Sequence, residues 1–279
     1  MNTKERERFL LTVSCRDTDY IPKVADAGRV FTNERGESIQ VMHNGVQVLA
    51  DTYYGDFITH IVDGLKGHHE PQEEKVFYEI LKTVGPGATM IELGAYWSYY
   101  SLWFQTAIKD GKSFMVEPAT ENLRIGRRNF ELNGRTGTFI QALVGAQDSK
   151  TTDPETVSVD GLMKAHGLDR LDILHADTQG AEHKMLIGAE RTISERRVRY
   201  VVISTHGYRM HARCLGFLRK HKYNVFVEHT PVESFSLDGL IAATADMDFN
   251  PQLAISFRPL KISERIRSGL CRLQSHWVG

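Results

Sequence analysis

Two acids and a glycine stand where a nucleotide-type cofactor would meet them. In "MIELG", Glu92 lies two residues before Gly94 at the end of an apolar run, and in "FMVEP" Glu117 closes the next run. A carboxylate at the second position can accept hydrogen bonds from both hydroxyls of a ribose. The turn after Gly94 reads Ala95, Tyr96, Trp97, Ser98, where a dinucleotide fingerprint would carry its second and third glycines. Those glycines let the backbone approach a pyrophosphate, and the rings of Tyr96 and Trp97 obstruct that approach.

S-adenosylmethionine has no phosphate and needs no such opening. An acid before the glycine can act on its amino-acid end, so the turn favours this donor over a dinucleotide. Tyr96 and Trp97 either shield the methionine moiety, where a ring can meet the sulfonium, or pack. The aromatics that follow, Tyr99, Tyr100, Trp103 and Phe104, read as helix packing.

Three loops are expected at the edge where such a cofactor and its acceptor lie: residues 92–98, 177–182 and 205–211. His206, directly after "VVIST", is the candidate general base, because its ordinary pKa lies near neutrality. Asp177 is the second candidate catalytic residue. It can orient the acceptor, position the histidine, or hold a divalent cation that acidifies a hydroxyl. With no third clear carboxylate, no metal ligand is assigned. His211 follows His206 by five residues, poor spacing for two ligands on one helical face.

Upstream, "GHHEPQEE" concentrates His68, His69, Glu70, Glu73 and Glu74. One reading is a lid in which His69, Glu70 or Glu73 reaches over the cofactor, with Tyr53 and Tyr54 of "DTYYG" on the acceptor side. The other is a helix start, with Pro71 in the first turn and acids that suit the helix dipole.

The elements that must position these residues begin near Glu73, where apolar strands and amphipathic helices alternate. Helices are expected over about 72–84, 98–108 and 122–132, at "VDGLMKAHG", at "AEHKMLIGAERTI" and over 211–220. Strands are expected at "TMIEL", "SFMVE", "TFIQALV", "LDILHAD", "RYVVIST", "YNVFVEH" and "PQLAISFR". A short connection before the last implies an antiparallel ending. The expected fold is α/β and Rossmann-like, a mostly parallel seven-stranded sheet with an antiparallel final strand, although "HTPVESFSLDGLIAATADMDFN" has room for another element. Residues 1–70 are expected to form a small N-terminal cap with strands turning at "ERGE" and "HNG". Residues 71–258 form the core, and 259–279 an amphipathic tail.

Composition narrows the partners. The 279 residues carry 34 Lys and Arg against 35 Asp and Glu, which gives no electrostatic reason to expect nucleic acid. Cys15, Cys214 and Cys271 are too far apart to suggest zinc or a disulfide framework, so a reducing cytoplasm fits. No apolar run reaches membrane-spanning length. In the tail, Ile262, Ile266, Leu270, Leu273 and Trp277 form one helical stripe beside Lys261, Arg265, Arg267 and Arg272. That stripe packs on the body of the protein or on a second copy, giving a homodimer; peripheral contact with an anionic membrane surface is the alternative.

Four ordered blocks, "MIELGAYWSYYSL", "FMVEPATENLRIGRRNFELNG", "VDGLMKAHGLDRLDILHADTQGAE" and "VVIST", resemble the FkbM-type S-adenosylmethionine-dependent methyltransferases over roughly residues 73–206. The resemblance implies a class I methyltransferase-like fold. It also implies methyl transfer to a hydroxyl of a small-molecule acceptor, a saccharide or natural product. Within its blocks, Ala95, Tyr96, Ser98, Pro118, Asn122 and Asp177 join Glu92, Gly94 and Glu117 as expected cofactor contacts. Tyr96 and Ser98 depart from the usual asparagine and glycine, and Gln179 stands where an acid is common. The competing readings are a NAD-type oxidoreductase, disfavoured by the missing glycines, and a non-catalytic module that keeps the fold.

Overall fold

The computed structural model describes residues 2–249, 251 and 253–275. The chain opens with helix α1 (Thr3–Val13), followed by short strands β1 (Val30–Thr32), β2 (Ser38–Val41) and β3 (Gln47–Leu49) and helices α2 (Asp56–Gly64) and α3 (Pro71–Leu81). Then come β4 (Thr89–Leu93), α4 (Tyr99–Ala107), β5 (Lys112–Val116), α5 (Thr120–Leu132), β6 (Thr138–Ile140), β7 (Leu143–Val144) and β8 (Thr156–Val157). Helix α6 (Val159–Ala165), β9 (Leu171–Ala176), α7 (Glu182–Ile187), α8 (Glu190–Ser194) and β10 (Val198–Thr205) follow. The described chain closes with α9 (Tyr208–Lys220), β11 (Asn224–His229), β12 (Gly239–Thr244) and α10 (Ile262–Gln274).

Seven strands form the main sheet in the order β11-β12-β10-β9-β4-β5-β6. All neighbours pair in parallel except β12, which runs antiparallel to both β10 and β11. This is the class I methyltransferase-like, Rossmann-like architecture. Both faces are covered, and consecutive residues divide between two cores. Met90, Ile173 and Val202 pack with Phe77, Tyr99 and Trp103 on one face. Ile91, Leu174 and Val201 pack with Leu186 and Leu215 on the other. A strand whose side chains alternate between two dry faces must read as a continuous apolar run, which is why these segments were legible.

The chain moves outward from β4 through β5 to β6, then returns to the other side of β4 to lay down β9 and β10. That reversal opens a crevice at the carboxyl ends of β4 and β9. There the backbone of Gly94 lies against that of Asp177 so closely that an added Cβ would sit 1.8 Å from the Asp177 carbonyl oxygen.

Four expectations need correction. The antiparallel strand is Gly239–Thr244, not "PQLAISFR", among whose described residues no strand forms. Both segments satisfy strand patterning. The small, fully buried "GLIAAT" fits between β10 and β11, whereas Leu253 and Ile255 pack on the core from outside the sheet. Second, "TFIQALV" divides: Thr138–Ile140 pairs with β5, and Leu143–Val144 pairs with β8 in a separate ribbon. Third, the helix expected at "AEHKMLIGAERTI" breaks at Gly188, where the backbone presses on Gly145; an added Cβ would lie 2.3 Å from the Gly145 carbonyl oxygen. Fourth, α1 and α2 were not anticipated, although Asn2 and Glu5 form a capping box at the start of α1.

Strands β1 to β3 make an antiparallel meander with turns where "ERGE" and "HNG" place them. Helix α5 holds this meander to the main sheet: Asn129 accepts from the Leu49 N–H at 2.8 Å and Asn133 from that of Gln47 at 2.9 Å.

Candidate active site

Two cavities meet at the crevice and share Tyr53, Tyr54, Asp177 and Gln179 as their common wall. The smaller, about 360 Å³, is lined also by Gly94, Tyr96, Glu117, Pro118 and Asn122. The larger, about 600 Å³, runs over His69, Glu70, His206 and Asp238 to Arg8 and Thr12 of α1.

In the smaller cavity the Glu117 carboxylate is held rigidly. One oxygen accepts from the Ala119 N–H and the Asn122 amide, each at 3.0 Å, and the other from the Tyr96 N–H at 3.2 Å. Tyr96 adopts a left-handed conformation, φ 41°, and its hydroxyl donates to the Thr52 carbonyl. Trp97 points away from the cavity and stacks on Tyr53, with ring centroids 4.5 Å apart. The two aromatics of the turn thus part company: Tyr96 is wall and Trp97 is packing. Ala95 and Ser98 are buried beneath the turn and touch neither cavity. Ser98, also left-handed, packs against Gly126 of α5.

Glu92 is not on the cavity wall. It pairs in register with His175 on the face of β4 that meets α4, and accepts from the Ser101 N–H at 3.1 Å. Burial pushes its carboxyl up to about 6, against the lowering influence of His175 and Ser101. Strand alternation explains the difference from expectation: with Ile91 and Leu93 on the far face, Glu92 must point into the α4 side.

Nor does Glu73 form a lid. It is buried under the site, accepting from His175 Nε2 at 2.6 Å and from the Ser204 hydroxyl. Of the "GHHEPQEE" acids, Glu70 alone lines a cavity, where its carboxylate accepts from the Tyr100 hydroxyl at 3.0 Å and lies 3.3 Å from His69 Nε2. Burial resists ionisation of Glu70, but His69 and Tyr100 hold its carboxyl below the ordinary value. The dipole-suited helix start is present too, with Pro71 opening α3.

His206 sits at the end of β10 among three carboxylates. Its Nδ1 lies 2.5 Å from Glu182 Oε1, and its Nε2 faces Asp177 at 3.4 Å and Asp238 at 3.5 Å. Burial disfavours the imidazolium, yet the Glu182 hydrogen bond and the charges of Asp177 and Asp238 prevail and raise His206 to about 9. Asp177 rises to about 8, through burial and the neighbouring Glu70, despite the opposing pull of His206. Asp238 rises to about 6 for the same reasons. A proton is therefore readily held and exchanged at this end of the sheet.

Asp238, Glu182 and the α1 residues were not assigned to the site from sequence. Asp238 arrives because the β11–β12 connection folds back over β10. Glu182 was visible only as the end of the "DTQGAE" loop.

A second cluster, His43, His68 and Glu74, is fully buried and compact enough to hold an ion. Its donor set does not fit one. The two imidazoles stack face to face at 4.1 Å and 17°, so their in-plane lone pairs run side by side instead of converging. Each ring's Nδ1 is engaged as well, that of His68 with Glu74 and that of His43 with the Tyr99 hydroxyl, while His68 Nε2 is buried without a partner.

Residues 67–225, more than half of the chain, match the family described as the methyltransferase FkbM domain. The chain belongs to the FkbM methyltransferase family. The matched segment spans β4 to β10 and supplies Gly94, Glu117, Asp177, Glu182 and His206. No curated protein matches the sequence. Solved structures similar to this FkbM methyltransferase include a precorrin-6y C5,15-methyltransferase from Geobacter metallireducens GS-15, at 17% identity and TM-score 0.43, over 62% of this chain and 88% of that one. M. capricolum TrmK in complex with S-adenosylhomocysteine matches at 14% identity and TM-score 0.40, over 64% and 71%. A putative methyltransferase from Streptococcus mutans matches at 12% and 0.46, over 74% and 55%. An FkbM methyltransferase is an enzyme of methyl transfer, which sets aside the oxidoreductase reading.

Proposed function

We propose that the protein is a cytoplasmic S-adenosylmethionine-dependent O-methyltransferase that acts on a hydroxyl of a saccharide or natural-product acceptor. The observation that carries this reading is the junction of two cavities at Asp177, one bearing the fixed Glu117 carboxylate and the other the His206 imidazole. The smaller cavity suits the donor: Glu117, fixed by three hydrogen bonds, keeps acceptor capacity on its second oxygen for a ribose hydroxyl, and Tyr96 occupies the space that a pyrophosphate would need. Gly94, Pro118 and Asn122 complete that wall. Bound there, S-adenosylmethionine supplies an electrophilic methyl group on a sulfonium.

The remaining work falls to this chain's own side chains. Tyr53 and Tyr54 offer ring faces to a sugar-like acceptor in the larger cavity, and Asp177 and Glu70 can accept from its other hydroxyls. His206 Nε2 takes the proton of the reacting hydroxyl as the oxygen attacks in line. Glu182 fixes the ring through Nδ1, and Asp177 and Asp238 stabilise the imidazolium formed. Glu92, Ala95, Ser98 and Glu73 support this site from beneath.

Loss of a charge-assisted hydrogen bond at roughly 1.5–3 kcal/mol means that Glu117→Ala weakens donor binding by at least about tenfold. Calorimetry with S-adenosylmethionine measures it. Failure of the folded wild-type protein to bind the donor would sink the reading. Transfer of labelled methyl across panels of glycans and hydroxylated metabolites identifies the acceptor, and donor binding without transfer to any hydroxyl argues for a different acceptor atom.

The pH profile follows from the same geometry. A base must be neutral, and a histidine raised to about 9 is largely protonated at neutral pH. kcat/KM therefore climbs with pH and levels off near that value. Glu182→Gln removes the hydrogen-bonded charge that raises His206, so the rising limb moves to lower pH while the plateau falls through looser ring orientation. An unmoved limb would show that His206 is not the titrating group.

A further inference from the structure

We propose that helix α10 is a docking helix that lays its apolar face on an anionic membrane surface. The helix is fastened to the body by the opposite, polar side. Ser268 and Cys271 are buried there. The Ser268 hydroxyl donates to Glu233 at 2.6 Å, and Arg272 bonds Glu228 at 2.5 Å and Glu233 at 2.6 Å. Those ties leave the apolar stripe in solvent: Ile262 is 79% exposed, Ile266 59%, Leu270 53% and Leu273 61%. An ordinary amphipathic helix buries such a stripe in the protein, so this one is mounted the other way round. The expectation that the stripe packs on the body is overturned for these four residues; Trp277 lies outside the described residues.

The charges say what covers the stripe. At about 100° per residue the four apolar side chains span an arc of roughly 80°, and Arg265 and Arg267 fall about 100° to either side of its centre. Both are exposed, and among the described residues neither forms an ion pair. The helix's acid, Glu264, turns away to Arg258 at 2.7 Å. The outward aspect is thus apolar along its middle and cationic at both edges. That arrangement inserts aliphatic groups at the acyl boundary while guanidinium groups reach lipid phosphates. A second copy is a poorer occupant, since two-fold pairing would bring Arg265 and Arg267 of both copies together with no acid on the outward aspect of α10 to receive them. Neither α10 nor any other described helix is long and apolar enough to cross a membrane, so the helix would lie along the surface.

The test is co-sedimentation of the full chain with vesicles of phosphatidylcholine alone and of phosphatidylcholine with phosphatidylglycerol, at low and high salt. Binding to the anionic vesicles is expected, and it weakens as salt rises. Ile266→Glu with Leu270→Glu, and separately Arg265→Glu with Arg267→Glu, each reduce it at least about tenfold. All four side chains are in solvent, so an unchanged melting temperature certifies the fold. Equal binding to neutral vesicles, no vesicle binding, or a dimer in light scattering that the Ile266/Leu270 variant dissolves would each overturn the proposal.

Discussion

His206→Ala lowers methyl-transfer turnover by about 10²–10⁴-fold, the range for loss of a positioned general base, while donor affinity stays within a few-fold of wild type. The separation is expected because His206 stands in the larger cavity, away from Glu117, Asn122 and Tyr96 around the donor. Its Nε2 is buried without a hydrogen-bond partner, turned toward Asp177 and Asp238. Truncation also leaves the Glu182 carboxylate buried opposite a void, which destabilises the fold by roughly 1–3 kcal/mol. The double variant His206→Ala with Glu182→Gln relieves that charge and separates folding from chemistry. Single-turnover measurement with labelled donor gives the rate, and calorimetry gives the affinity. Turnover within threefold of wild type, in protein that still melts cooperatively, would remove His206 from the mechanism.

Gly94→Ala is expected to damage fold and cofactor site together. The new Cβ would lie 1.8 Å from the Asp177 carbonyl oxygen and 2.7 Å from its carbon, both backbone atoms that no rotamer change can move. The residue also sits at φ 74°, where a side chain adds roughly 1–2 kcal/mol, and overpacking adds about 1–3 kcal/mol more. Relief requires the β4–α4 turn to lift from the end of β9, which displaces Tyr96 from Glu117 and Asp177 from His206. Chemical denaturation should show a loss in the sum of those ranges, and donor binding should fall below detection. Gly85→Ala is the control, since nothing lies within 4 Å of its added Cβ. Wild-type donor affinity in Gly94→Ala would mean that the contact between β4 and β9 does not set the cavity.

Side-chain direction, more than element prediction, separates what could be read in the sequence from what could not. Glu92 and Glu117 look alike in one dimension, each an acid closing an apolar run. Glu117 lies one residue beyond the end of β5, where the chain has left the sheet and the side chain is free to face the crevice. Glu92 is still inside β4, and the pleat turns it toward α4. Glu70 and Glu73 divide in the same way: Glu70 precedes α3 and opens on the cavity, while Glu73 is within the helix and is carried under the sheet.

Local patterning determined the alternating strands and helices, the meander of short N-terminal strands, the glycine turn and the methyltransferase family. Each rests on residues near one another in sequence: apolar periodicity, turn glycines, and acids at strand ends. Tertiary structure alone decided which strand closes the sheet, because "GLIAAT" and "PQLAISFR" are equally strand-like until one must fit between β10 and β11. It brought Asp238 and Glu182 to His206 across long chain separations, and placed α1 along the larger cavity. It also turned the tail helix so that polar ties to Glu228 and Glu233 face inward and the apolar stripe faces out. Periodicity defines the two faces of a helix. Which face meets the protein depends on the partners the fold presents there, and a linear sequence does not contain them.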